Sequence, residues 1–242
     1  MVASSLPVSA AQPAPMDPTA AQTTRVWDLP TRVFHWVLAL SMLGSVVTAK
    51  IGGSAMPWHF RLGMLTLSLI AFRVLWGLVG GRWSRFASFI YAPATVWRYL
   101  RGQARAADHL EVGHNPLGSF SVFAMLGFVG LQLATGLVAD DEIANLGPLN
   151  RFVSADTVQM ATSWHKTWGQ WLLLALVALH VAAILFYLLK KRQNLVGPMV
   201  SGDKTLPAGT PASADGIAQR AMALLLWLAC LAGAVWVFSL GA

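Results

Sequence analysis

The sequence predicts an all-α integral membrane protein, and three observations carry that prediction. The 242-residue chain is 56% hydrophobic and only 11% charged, about half the charged fraction of a soluble domain. Its mean hydropathy is +0.57, and its 11 Trp suit membrane–water interfaces. Five stretches, about 32–50, 58–79, 119–139, 163–189 and 218–240, each approach or exceed the roughly 20 apolar residues a helix needs to cross a bilayer.

Residues 1–24, rich in Ala, Pro, Ser and Thr, lack the basic start and apolar centre of a signal peptide and read as a disordered tail. The first span is the weakest on hydropathy because it contains Ser and Thr. Its short link to the second makes the two antiparallel neighbours. The third follows a basic loop and the sequence GHNPLG (113–118), whose Asn-Pro marks a helix start. The fourth is the longest. A polar Gly/Ala/Pro stretch, 201–217, reads as a linker to a fifth, C-terminal transmembrane helix over 218–242.

The net charge of +7 gathers in connecting loops, which is a topology signal and not a footprint for nucleic acid. Arg82, Arg85, Arg98, Arg101 and Arg105 lie in the second connection, Lys190, Lys191, Arg192 and Lys204 follow the fourth span, and Arg25 and Arg32 precede the first. All fall on one side, so the N-terminus is expected in the cytoplasm. The opposite connections carry Lys50, Arg61, Arg151 and Lys166, offset by Asp140, Asp141, Glu142 and Asp156.

Four histidines lie within the apolar spans: His35, His59, His165 and His180. Ionisable groups are costly there and mark function. Depth follows from orientation. His35 starts an outward span and His180 ends an inward one, so both lie toward the cytoplasm. His59 and His165 start inward spans and lie toward the far side. The fifteen residues from His165 to His180 give a depth difference of about 22 Å and a turn of about 60°, so both can face one bundle core. Depth pairs His35 with His180 and His59 with His165. Two axial pairs suit two haem b groups, whereas zinc needs four converging ligands. The single Cys230 excludes an internal disulfide, an iron–sulfur cluster held by this chain alone and covalent haem attachment.

Cations near the pairs are candidates for the haem propionates. Arg61 and Lys166 stand beside the far-side pair, and either can instead snorkel to headgroups. Arg73 lies well inside the second span, where an unpaired charge is costly. Gly44, Gly63, Gly127, Gly130 and Gly169 leave room for a macrocycle or for close helix contacts. His109 and His114 read as loop histidines, His114 being placed to shape a site near the cytoplasmic haem. Asp140, Asp141 and Glu142 could dock a basic c-type cytochrome or serve as solvated loop charges.

The fragments VWDLPTRVFHW (26–36), FRVLWGLVG (72–80), GHNPLG, TGL (135–137), WHKTWG (164–169) and LHVAAIL (179–185) resemble the bacterial cytochrome b561 family, whose superfamily includes the b-type cytochrome subunits of nickel–iron hydrogenases. The likeness covers residues 25–200. It implies a four-helix transmembrane bundle holding two b haems in the bacterial inner membrane, with the same histidine pairing. It further implies electron transfer between the quinone pool and a periplasmic c-type cytochrome or redox enzyme subunit. Superoxide:quinone oxidoreduction and anchoring of a hydrogenase or dehydrogenase are further roles in this family. A haem-free transporter or adaptor is the alternative from another class, though no internal repeat points to it. The sequence is compatible with a homodimer.

Overall fold

The computed structural model describes residues 21–105 and 110–241. Five helical segments are long and apolar enough to span a membrane: α1 (Leu29–Ile51), α2 (Met56–Val79), α4 (Pro116–Val138), the continuous α5–α6 segment (Ala155–Leu189) and α8 (Ile217–Ser239). All five expected spans are present, with ends displaced by a few residues. The exception is the fourth, which begins eight residues early with the polar helix α5 (Ala155–Ser163). Short helices α3 (Pro93–Leu100) and α7 (Val196–Ser201) lie between spans.

The local chemistry sets the helix starts. Asp28 caps α1 by accepting a hydrogen bond from the Thr31 amide at 2.8 Å, and Pro30 follows where its missing N–H costs nothing. Asn115 caps α4 in the same way, accepting from the Gly118 amide at 2.8 Å. The turn out of α1 uses Gly52 and Gly53 at φ +65° and +48°, a region that favours glycine.

α1 and α2 form an antiparallel hairpin, held by Ser41 Oγ and Thr66 Oγ1 at 2.7 Å and by Gly44, where an added Cβ would stand 2.8 Å from Leu62. α8 packs chiefly on α2 and also touches α1; α6 (Gly169–Leu189) packs on α4. Phe34, Leu69, Phe72, Trp76 and Ala223 form the main apolar core, joining α1, α2 and α8. The fifth helix is therefore part of the bundle. α6 makes little backbone contact with α1 or α2, leaving a seam between them.

The stretch 201–217, expected as a linker, is built into the fold. Asp203–Pro207 forms strand β2, antiparallel to β1 (Ala21–Arg25), with Ala21 opposite Pro207 and Arg25 opposite Asp203. Residues 21–24 of the expected tail are thus paired strand, while 1–20 and His109 lie outside the described residues. Backbone bonds between partners nearly the whole chain apart drive this pairing, so neither segment carries a strong side-chain signal for it. Beyond β2, Ser213 Oγ donates to the Val26 carbonyl at 2.7 Å, Trp83 Nε1 donates to the Pro211 carbonyl at 2.8 Å, and Asp215 accepts from the Leu29 amide at 3.0 Å. This strap closes one end of the bundle, called here the sheet end, over the cluster Val26, Trp27, Trp83, Val112 and Leu206.

Candidate functional site

The four span histidines meet in two pairs across the seam. The ring centroids of His35 (α1) and His180 (α6) lie 6.4 Å apart at 53° between planes. Those of His59 (first turn of α2) and His165 lie 6.1 Å apart at 81°. A ring of bonds about 1.33 Å long puts each nitrogen about 1.1 Å from the centroid. An iron with a nitrogen about 2.0 Å away on each side then separates the centroids by about 6.2 Å. A direct N–H···N hydrogen bond of about 2.9 Å would bring them to about 5.1 Å. The observed spacings match the first arrangement. Among the described residues no group of three or more His, Cys, Asp or Glu converges on a metal position, so each pair offers two imidazoles and no third side-chain ligand. That suits a planar macrocycle filling the remaining positions.

At the end opposite the sheet, both imidazoles are oriented by backbone carbonyls. His59 Nδ1 lies 2.9 Å from the Ser45 oxygen and His165 Nδ1 2.9 Å from the Gln132 oxygen. A carbonyl only accepts, so Nδ1 carries the proton and Nε2 keeps its lone pair for a metal. His165 sits in a π turn, Trp164–Trp168, between α5 and α6. Such turns occur often at functional sites. The wider turn frees the His165 carbonyl, and Gln132 Nε2 donates to it at 2.8 Å. Gln132 therefore holds His165 from both sides, through its main chain and its side chain. Gly136 allows the approach, since an added Cβ would stand 2.7 Å from His165 Cε1. Gln132 is a polar residue in an apolar span, a signal that marks the position, while its partner is set by the turn.

At the sheet end, His35 Nδ1 is buried without a hydrogen-bond partner among the described residues. Arg73 is only 3% exposed; its guanidinium lies 4.7 Å over the Phe86 ring, and its Nη1 is buried and unpartnered. Snorkelling to the surface therefore does not describe Arg73. Arg61 and Lys166 are both exposed, and Arg61 covers the Trp58 ring at 4.7 Å, an arrangement that fits an interfacial cation. Gly44 serves the α1–α2 contact, and Gly169 meets Gln132 and Trp164, closing α6 onto α4. Gly63 has only Phe238 near, at 3.8 Å. Gly127 and Gly130 face open space.

Two sheet-end residues exceed what the sequence suggested. Asp28 is fully buried and gathers the Thr31 amide, the Trp76 indole N–H at 3.2 Å, the Gly81 amide at 3.0 Å and the Ser84 hydroxyl at 2.7 Å. His114 is no surface histidine. It packs between the Trp27 and Phe89 rings, with centroids 4.8 and 4.6 Å away, and its Nδ1 is buried without a partner. Burial first, then the charges of Arg73 and Lys204 with His180 and His35 beyond them, push its pKa down to about 3.

The acidic loop builds itself. Asp141 accepts from the amides of Ile143, Ala144 and Asn145 at 2.8–2.9 Å and from the Asn145 side chain at 2.5 Å. The Asn145 side-chain bond first, reinforced by these amides, holds the carboxyl well below the usual carboxylate range. This favours the solvated-loop reading of Asp141 over docking.

Fold and site together define an electron-transfer membrane cytochrome of the b type. The chain belongs to the prokaryotic cytochrome b561 family, whose model matches residues 26–202. It is 26% identical to a probable Ni/Fe-hydrogenase B-type cytochrome subunit of Bradyrhizobium diazoefficiens, over 75% of this chain and 86% of that protein. It is 28% identical to the equivalent protein of Azotobacter chroococcum, over 73% and 86%. It is 25% identical to the probable Ni/Fe-hydrogenase 1 B-type cytochrome subunit of Escherichia coli K12, over 73% and 88%. No solved structure matches the chain significantly. The family match ends before β2 and α8.

Proposed function

We propose that this chain holds two b haems, one between His35 and His180 and one between His59 and His165, and moves electrons between the quinone pool and a redox enzyme on the periplasmic side of the bacterial inner membrane. The observation that carries this reading is the pair of centroid distances, 6.4 and 6.1 Å, each suited to one iron. Arg82, Arg85, Arg98, Arg101, Lys190, Lys191, Arg192 and Lys204 occupy the connections on the side of the sheet end. By the positive-inside tendency the sheet end and the N-terminus are then cytoplasmic, and the His59–His165 pair faces the periplasm. The relatives are named as hydrogenase cytochrome subunits, which supports the catalytic subunits of such an enzyme as the partner.

Haem supplies the one-electron iron couple. The chain supplies the rest: axial nitrogens fixed by carbonyl-bound Nδ1 protons at the outer pair, an apolar shell that excludes water, and a buried cation, Arg73, for propionate charge. Two centres about 22 Å apart along one helix span most of a hydrocarbon core about 30 Å thick.

The test is a reduced-minus-oxidised spectrum of the purified chain with pyridine haemochrome quantitation. About two b haems per chain are expected. His180→Ala should then remove only the inner haem and His165→Ala only the outer one. A folded chain from haem-replete cells that carries no haem refutes the reading.

A further inference from the structure

Among the described residues, His114 is the imidazole of the sheet-end cluster that the two proposed axial pairs do not use, and its surroundings call for a ligand. It is held at its position from three directions. Trp27 and Phe89 flank its ring. Tyr91 Oη donates to its carbonyl at 2.5 Å. Asn115 beside it caps α4 and donates through Nδ2 to Tyr187 Oη at 2.8 Å, anchoring the turn to α6. Among the described residues, His35 Nδ1, Arg73 Nη1 and His114 Nδ1 are buried nitrogens without hydrogen-bond partners at this end, as is Arg32 Nε. A buried polar group left unpaired is costly, and here several occur at one end of the bundle.

Charge points the same way. The groups that act on His114 are Arg73, Lys204, His180 and His35, all cationic or neutral. Asp28 and Glu111 are the acids that act on this cluster among the described residues. Asp28 is occupied by four neutral donors. Glu111 meets Lys204 through its main-chain oxygen, as Val112 does, at 3.2 and 2.7 Å. Among the described residues no carboxylate accepts a hydrogen bond from Arg73 Nη1 or His114 Nδ1, although Asp28 attracts the Arg73 charge. A haem between His35 and His180 brings two carboxylates.

We propose that His114 is the second anchor of the inner haem: a donor that, together with Arg73, holds the macrocycle's carboxylate side and helps set its potential. Donors at a propionate offset negative charge near the iron and favour the reduced form. The inference rests on the di-haem reading and adds to it a residue outside the axial pairs.

Its test uses two substitutions that divide the ring from its nitrogen. His114→Phe keeps an aromatic ring between Trp27 and Phe89 and removes the donor; His114→Gln keeps a donor and removes the ring. The readout is a redox titration of the haem absorbance in the purified full chain, with the inner component identified in a His165→Ala sample. His114→Phe should lower the inner midpoint by about tenfold in the redox equilibrium, 59 mV for one electron, with the outer haem unmoved. His114→Gln should titrate close to native. A merely structural His114 gives the reverse order, with His114→Phe native-like and His114→Gln disturbed, and that result overturns the proposal. If His114→Phe does not accumulate, His114→Gln decides alone: a native-like inner midpoint is expected, and a disturbed one overturns the proposal. A native chain that binds no haem takes down the di-haem reading itself. A native chain with two haems, whose inner potential ignores loss of the donor, takes down this inference alone.

Discussion

If each histidine pair holds a haem, as proposed above, Gly136→Ala should remove the outer haem and spare the inner one. An added Cβ at Gly136 would stand 2.7 Å from His165 Cε1, 3.1 Å from Nδ1 and 3.4 Å from Nε2. Ordinary carbon contacts begin at about 3.5 Å, so the ring must retreat by about 0.8 Å. Metal ligation tolerates about 0.2 Å. The ring has little freedom to move, because its Nδ1 is tied to the Gln132 carbonyl at 2.9 Å and its own carbonyl to the Gln132 side chain. Helix α4 itself should not suffer, since Ala is favoured over Gly in a helix interior by about 1 kcal/mol. Haem per chain, measured by pyridine haemochrome, should fall from about two to about one, the remaining haem titrating at the inner potential. Gly63→Ala is the control: its Cβ would meet only Phe238, at 3.8 Å, and should leave both haems in place. A Gly136→Ala protein with a full haem complement and unmoved potentials would refute the reasoning.

Three further expectations follow from individual contacts. Gln132→Leu leaves the π-turn carbonyl of His165 without its donor and should lower stability by about 1–3 kcal/mol, read by thermal unfolding in detergent, with a shift in the outer haem potential alone; a shift in the inner potential instead would contradict it. Asp28→Asn turns an amide toward buried donors and should cost at least about 2 kcal/mol; an undiminished unfolding temperature would show that the four-donor hub is not structural. For Asp215, burial pushes the carboxyl pKa up, but hydrogen bonds from Arg220 and the Leu29 amide, with Arg25 nearby, outweigh it and leave the pKa below the ordinary value of 3.8. Such a group stabilises the fold above its unfolded pKa and loses that effect as pH falls through the folded one. The 203–215 strap should therefore become protease-sensitive below about pH 4, and Asp215→Asn should remove that acid dependence.

The spans and the histidine pairing were legible because the signals behind them are local or additive. Hydropathy needs only a window, and depth follows from counting residues along helices whose direction the loop charges give. The helix start at Asn115-Pro116 could be read for the same reason. What escaped depends on distant partners. β1 and β2 are polar and ordinary, and only the 177 residues between them, 26–202, bring them together by folding. The π turn is one extra residue in a helix of strong apolar character, so no periodicity announces it, and Gln132 is intelligible only once that turn has freed a carbonyl. His114 looked like a loop histidine because its neighbours in sequence are turn residues. Its neighbours in space, Trp27 and Phe89, come from elements on either side of α1 and α2.

The packing explains why the two ligands of each pair sit on unlike supports. His35 and His59 belong to the α1–α2 hairpin, which α8 braces through Ala223 and the Trp76–Phe72–Phe34 core and which the strap ties to the chain's C-terminal third. His165 and His180 belong to the α5–α6 segment, whose support is α4 and whose faces are largely open: Leu179 is 67% and Phe186 51% exposed. A bilayer can cover apolar side chains on the outside of α6, but it cannot hold two imidazoles at an iron's width from α1 and α2. Whatever binds between the pairs therefore joins a braced half to a loosely held one. Its binding free energy adds directly to the stability of the joined state. That places α8 and the strap, which lie beyond the family match, in a definite role. They brace the half of the bundle that carries His35 and His59, α8 by packing on α2 and α1 and the strap by its bonds to Val26, Leu29 and Trp83.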